Sequence, residues 1–160
     1  MTHDLSIFLT ALQDRTVKKR LAAAKELGRS NDPAAVAPLC AALADPHPAV
    51  RKEAALALGR LDDADAVPAL IAALDDPRPD VRAGVIAALG RLGDRRAAGP
   101  LIRCLSDRGE MIRIGAATVL GKLGDPRAAE PLGLLARDPF ADVREAAEVA
   151  LARLRKKKKK

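Results

Sequence analysis

The chain has 160 residues, a formal charge of +7 and 49% apolar residues, yet its aromatic side chains are only Phe8 and Phe140, which leaves no Trp or Tyr for stacking on bases. Removing the five terminal lysines brings the charge down to +2, spread over successive 31-residue blocks as +3, −1, −2, +3 and −1, so the body is close to neutral and not a basic nucleic-acid surface. No run approaches the length of a membrane span, and the amino terminus has neither a basic segment nor a long apolar run, so neither insertion nor export is expected.

The blocks follow from a strict period. Asp14, Asp45, Asp76, Asp107 and Asp138 are spaced 31 residues apart, and Arg follows each six places later, as Arg20, Arg51, Arg82, Arg113 and Arg144. Leu27, Leu58, Leu89, Leu120 and Leu151 form another column, followed by Gly28, Gly59, Gly90 and Gly121 and then by Arg29, Arg60, Arg91, Lys122 and Arg153. A period of this length marks a solenoid, because one such unit cannot bury its apolar face alone and must stack on its neighbours. The repeats are 1–31, 32–62, 63–93, 94–124 and 125–155, read as one domain over 1–155 and followed by a basic tail, 156–160, with no fold of its own.

Each repeat opens with a helix A. Its stripe, Leu5, Phe8, Leu9 and Leu12 in the first repeat or Val67, Leu70, Ile71 and Leu74 in the third, falls at i, i+3, i+4, i+7 and makes one helical face. Asp32-Pro33 and Asp125-Pro126 place an acceptor for unpaired amides before a proline in the first turn, and Asp63 and Asp94 take the same place. Pro38, Pro68, Pro100 and Pro131 imply that helix A either starts late or is kinked there.

A break such as Asp45-Pro46-His47-Pro48 leads into helix B, whose stripe is Val50, Ala54, Leu58 and Leu61 in the second repeat and Val81, Val85, Leu89 and Leu92 in the third. The glycine column is expected to mark the end of helix B, with the adjacent basic residue facing the negative end of its dipole. Two antiparallel helices per repeat give an all-α solenoid of five helical hairpins.

These elements together, Asp, six residues to Arg, a Val or Ile before that Arg, Leu-Gly-Arg/Lys-Leu, and Gly124-Asp125-Pro126-Arg127-Ala128, resemble the short HEAT-like repeat of the phycobilisome-lyase type over residues 4–155. The first repeat departs from the pattern at Lys19 and Ser30, and the fifth replaces the glycine by Ala152, as suits terminal repeats that face water. The resemblance implies that the Asp and Arg columns form a structural ladder, here Asp45, Arg51, Asp76, Arg82, Asp107, Arg113, Asp138 and Arg144. Each Asp would accept turn amides, and each Arg would bridge carboxylates of its own and the neighbouring repeat.

Catalytic groups are scarce. His3 and His47 are the histidines, so the His-Glu pairs of HEAT-like di-iron hydroxylases are missing, and no phosphate loop or serine nucleophile elbow occurs. No cofactor or metal is expected. Cys40 and Cys104 sit in helix A of repeats two apart, too far for a disulfide, and read as reduced core residues of a cytoplasmic protein.

Helix B carries the functional reading. Side chains beside its buried stripe form ranks across the repeats: Leu21, Lys52, Ala83, Ile114, Glu145; then Lys25, Leu56, Ala87, Thr118, Val149; then Arg29, Arg60, Arg91, Lys122, Arg153. The resemblance puts helix B on the concave side, which makes an apolar floor with a basic rim. The expected function is a non-catalytic adaptor that holds another protein carrying acidic groups, centred on Leu56, Arg60, Ala87, Arg91, Thr118 and Lys122. The resemblance also admits a subunit of a bilin lyase or pigment-handling complex. A third reading, duplex nucleic acid bound through the basic rank and tail, is weakened by Asp75, Asp76 and Asp80. Gly84 and Gly115 in mid-helix fit close approach by a partner or close helix packing, and oligomeric state is left open.

Overall fold

The structure, a computed structural model, describes residues 5–157, and among them every regular element is helical. Two compact units divide between Leu92 and Gly93. The first holds α1 (Leu5–Ala11), α2 (Val17–Leu27), α3 (Val36–Ala42), α4 (Pro48–Leu61), α5 (Val67–Ala73) and α6 (Pro79–Leu92). The second holds α7 (Ala98–Cys104), α8 (Glu110–Leu123), α9 (Ala129–Leu135) and α10 (Ala141–Lys157). Odd-numbered helices are the A helices and even-numbered ones the B helices of an all-α, helical-repeat solenoid.

In repeats two to five helix A starts late, after a three-ten turn. Pro33–Ala35, Ala64–Ala66, Arg95–Ala97 and Pro126–Ala128 are short three-ten turns, capped by the carboxylates of Asp32, Asp63, Asp94 and Asp125, which accept from the amides of Ala34, Asp65, Arg96 and Arg127. The α-helix begins only after that turn. Pro38, Pro68, Pro100 and Pro131 therefore lie in its first turn, where a missing amide costs little.

The core is a file of leucines. Leu27, Leu58, Leu89 and Leu120 are fully buried, as are Leu39, Leu70, Leu101 and Leu132 from the A helices. Each fully buried Leu contributes roughly 1.5–3 kcal/mol relative to exposure. In the first unit α4 packs on both α2 and α6; in the second, α10 packs on α8 and α9.

The glycine column ends helix B only in the first repeat, where Gly28 is the C-cap of α2. Gly59 and Gly121 lie inside α4 and α8, and a Cβ at either would come within 2.9 Å of the Ala88 Cα or 2.8 Å of the Ala150 Cα. At Gly28 it would lie 2.6 Å from the Ala57 Cβ. These glycines let successive B helices touch backbone to backbone. The chain is turned instead by Asn31, Asp62, Gly93 and Gly124, with φ of 52, 56, 64 and 72°, a second 31-residue column in the left-handed region. Gly84 has the same explanation as the packing glycines: a Cβ there would meet Lys52 Cγ at 3.2 Å and Leu56 Cγ at 3.9 Å, so neighbouring helices account for it.

The ends differ from the middle. Lys19 is exposed in a column where Val50, Val81, Ile112 and Val143 are buried, and Glu148 is exposed where Ala24, Ala55, Ile86 and Ala117 are buried. Helix α10 runs on through Lys157, two residues beyond the repeat boundary expected at 155, so Lys156 and Lys157 are helical; Lys158 to Lys160 and His3 lie outside the described residues.

Candidate partner-binding surface

Two surfaces carry charge in a regular way: the edge where helix A turns into helix B, and the exposed face of the B helices. At the turn edge each Asp accepts a local amide through Oδ1, from Thr16, His47, Arg78, Gly109 and Phe140 in turn. The Arg six residues later sends Nη1 to the backbone carbonyl of that Asp, at 2.8–2.9 Å, in all five repeats. Its Nε and Nη2 grip the carboxylate of the following Asp: Arg20 takes Asp45, Arg51 takes Asp76 and Arg113 takes Asp138, with Nε–Oδ2 of 2.7, 2.6 and 2.8 Å. The ladder therefore joins carboxylates of neighbouring repeats, while within its own repeat the Arg meets a carbonyl and not a carboxylate. Arg113 also lies 5.7 Å over the Phe140 ring.

Burial alone would raise the Asp45 and Asp76 carboxyls, but hydrogen bonds from Arg20 and Arg51 and from turn amides outweigh it and hold both below the ordinary range. Asp138 is lowered first by Arg113. Asp14, which takes the Thr16 amide and hydroxyl and the Lys19 ammonium, falls to about 2, and Asp125 reaches about 2 through Arg127. These bonds are made within the chain, and between repeats the ladder is internal support.

The B face is less uniform than the sequence ranks imply. In the first unit Leu56 is half-buried and leans with Lys52 over Gly84, while Ala83 and Ala87 are exposed. The outer side of α6 thus presents small side chains. Arg91, near the end of the same helix, is exposed and has no ion pair among the described residues. Arg60 is different: it pairs with Glu53, its Nε is buried without an acceptor, and it lies against Gly28. Its charge is largely spent within the unit. The spacing of Glu53 and Arg60, two helical turns on one face, is the signal that could have revealed this.

In the second unit Thr118 is half-buried and donates its hydroxyl to the Ile114 carbonyl at 2.9 Å, and Lys122 is exposed. A groove of 240 Å³ between α8 and α10 is lined by Thr118, Val149 and Arg153 together with Asp142 and Glu145. That acidic pair makes the face mixed in sign here, a feature the basic rank alone did not reveal.

Other candidates recede. His47 caps α4 through Nδ1, which accepts from the Ala49 amide at 3.3 Å. Cys40 and Cys104 are half-buried and in no disulfide, and burial pushes the Cys40 thiol up, away from nucleophile behaviour. Among the described residues no group of three metal-ligating side chains converges, and no helix is long and apolar enough to cross a membrane.

Comparison with known proteins agrees with this architecture. The HEAT repeats family matches residues 5–80 and 67–152. The complex of CpcE and CpcF of phycocyanin lyase from Nostoc sp. PCC7120 contains a chain similar to this one, with 29% identity and a TM-score of 0.84 over 98% of this chain. This chain spans 66% of that chain's length. A designed armadillo repeat protein in complex with the peptide (KR)4 has a similar fold, at 21% identity and a TM-score of 0.74, covering 94% of this chain and 81% of that one. Computationally designed armadillo repeat proteins for modular peptide recognition give 20% identity and a TM-score of 0.71, over 94% and 82%. No curated protein matches. With matched segments that span nearly all of its five repeats, this chain is a member of the HEAT repeats family.

Proposed function

We propose that the protein is a non-catalytic adaptor whose B-helix face holds a segment of another protein, with acidic groups of that partner meeting Arg91 and Lys122. The observation that carries this reading is the outer side of α6, where Ala83 and Ala87 are exposed, Lys52 and Leu56 lie close to Gly84, and Arg91 is exposed without an ion pair among the described residues. A surface of methyl groups admits a close backbone, and an exposed guanidinium on the same helix rewards a carboxylate. Leu56 and Ala87 in the first unit and Thr118 in the second are the proposed contact positions; Arg60, bound to Glu53, contributes packing more than charge. Two cysteines in no disulfide fit a cytoplasmic setting.

The test is a pulldown with wild type and with Arg91→Glu plus Lys122→Glu, followed by hydrogen exchange on the purified complex. Expected are protection on α4, α6 and α8 and loss of capture by the variant. Protection confined to the A helices would overturn the reading. Arg60 is left unchanged because a Glu there would face Glu53 and disturb the fold.

A second reading, a subunit of a pigment-lyase complex, is supported by the 29% identity to a chain of the CpcE and CpcF complex. Its test is bilin transfer to an apo-phycobiliprotein by this chain with a co-expressed partner subunit; no transfer with any such partner would remove it. We further take 1–155 as a single solenoid domain, for which thermal unfolding should show one transition by calorimetry and circular dichroism, not two.

A further inference from the structure

We propose that the outer face of the fifth repeat is a second docking surface, which takes a helix of another protein lying parallel to α10 and bearing, in order, an Asp, a basic residue, an apolar residue and a Glu. The face is one stripe of α10, Arg144, Glu148, Leu151 and Arg155, at spacings that align along a helix. Leu151 is half-buried, whereas its equivalents Leu27, Leu58, Leu89 and Leu120 are at 0% exposure. Beside it a largely apolar groove of 550 Å³ is lined by Pro126, Ala129, Gly133, Leu151, Leu154 and Arg155.

Arg144 supplies the specific element. Its Nη1 is fixed by the Asp138 and Pro139 carbonyls at 2.8 and 2.9 Å, as the equivalent atoms are fixed in the other repeats. In Arg20, Arg51 and Arg113 a guanidinium held this way takes a carboxylate through Nε and Nη2. Among the described residues, the Nε and Nη2 of Arg144 have no carboxylate. The fork is thus pre-oriented for a bidentate carboxylate, and three examples within the same chain show how that carboxylate sits. Glu148 then calls for a basic residue one turn further on, Leu151 for an apolar side chain over the groove, and Arg155 for an acid.

The occupant is not a repeat stacked in the ladder register. Ala152 stands where Gly28, Gly59 and Gly121 allow a backbone to approach so closely that a Cβ would fall 2.6–2.9 Å from it. A second copy stacked in that register would collide there, and it would set Glu148 in a column that is otherwise apolar. A partner helix at ordinary packing distance, about 8–10 Å between axes, clears the methyl group.

The experiment uses the full chain and a labelled helical peptide carrying Asp, Lys, Leu and Glu at i, i+4, i+7 and i+11, read by fluorescence anisotropy. Binding should weaken about tenfold with Arg144→Gln and equally with Arg144→Lys, which keeps the charge and loses the fork. Changing the peptide Asp to Asn should cause no further loss in the Arg144→Gln protein, as one shared contact requires. Equal binding of a charge-reversed peptide, or full affinity in Arg144→Lys with an unchanged melt, would overturn the proposal. Concentration-dependent self-association of the wild type, abolished by Arg144→Gln in sedimentation, would also overturn it and assign the face to a second copy.

Discussion

The turn edge and the B-helix face are assembled from the same repeats, but they treat sequence in opposite ways. Along the turn edge the same two residue types recur in every repeat, and Nη1 of each Arg makes the same bond to its own Asp carbonyl. Along the B face the second-turn rank reads Lys25, Leu56, Ala87, Thr118, Val149, without two alike. A contact that joins repeats has to be periodic, because every junction poses the same geometric problem. A surface that recognises one partner has to vary, because the partner does not repeat with the same period.

Breaking what both regions depend on should have the largest effect. Leu89→Asp puts a charge where exposure is 0%, and about 3–5 kcal/mol or more of stability should be lost, enough to unfold much of the stack in a circular dichroism melt. Gly59→Val should follow, at about 2–3 kcal/mol in urea denaturation, since the side chain must displace the Ala88 backbone and not a flexible chain end.

The ladder itself is tested by Arg51→Gln. The Arg51 and Asp76 side chains are only 13% and 6% exposed, so leaving Asp76 without its fork should cost about 2–3 kcal/mol in the same assay. A matching pH effect follows from the sign of the shifts. The ladder carboxyls are held below their ordinary value, so their contribution is complete above the ordinary carboxylate range of about 4 and is lost as pH falls through their lowered values. Acid titration of Asp76→Asn should show a flatter loss of stability below about pH 4 than wild type.

The B face should behave in the opposite way. Arg91→Glu is expected to change stability by less than about 0.5 kcal/mol while weakening partner binding and reducing its salt dependence. If Arg91→Glu destabilised the fold as much as Arg51→Gln, the division between a supporting edge and a recognising face would collapse.

Much of this was legible from residues alone. The period, the two helices per repeat, the Asp N-caps at 32, 63, 94 and 125 and the cap substitution Lys19 follow from helical spacing and the chemistry of unpaired amides, which act over a few residues of chain. The glycine column was visible too, but its reading as a helix end holds only at Gly28. Local chemistry associates glycine near a basic residue with a helix end, whereas Gly59 and Gly121 answer to an alanine 29 residues away, Ala88 and Ala150. The actual turn positions were obscured because Asn31, Asp62, Gly93 and Gly124 share a backbone angle and not a residue type.

The candidate surface was readable only in part, for the same reason. The sequence by itself determined which side chains line the B face, since helical periodicity assigns each residue to a side. Tertiary structure decided which of those charges are available: Arg60, already in reach of Glu53 along α4, is packed against Gly28, while Arg91 is exposed without an ion pair among the described residues. It also decided the ladder's partners, because Arg51 reaches the carboxylate of Asp76 but only the carbonyl of Asp45. Spacing along the chain fixes the direction a side chain leaves its helix; what it meets depends on atoms that packing brings close from 25 or more residues away.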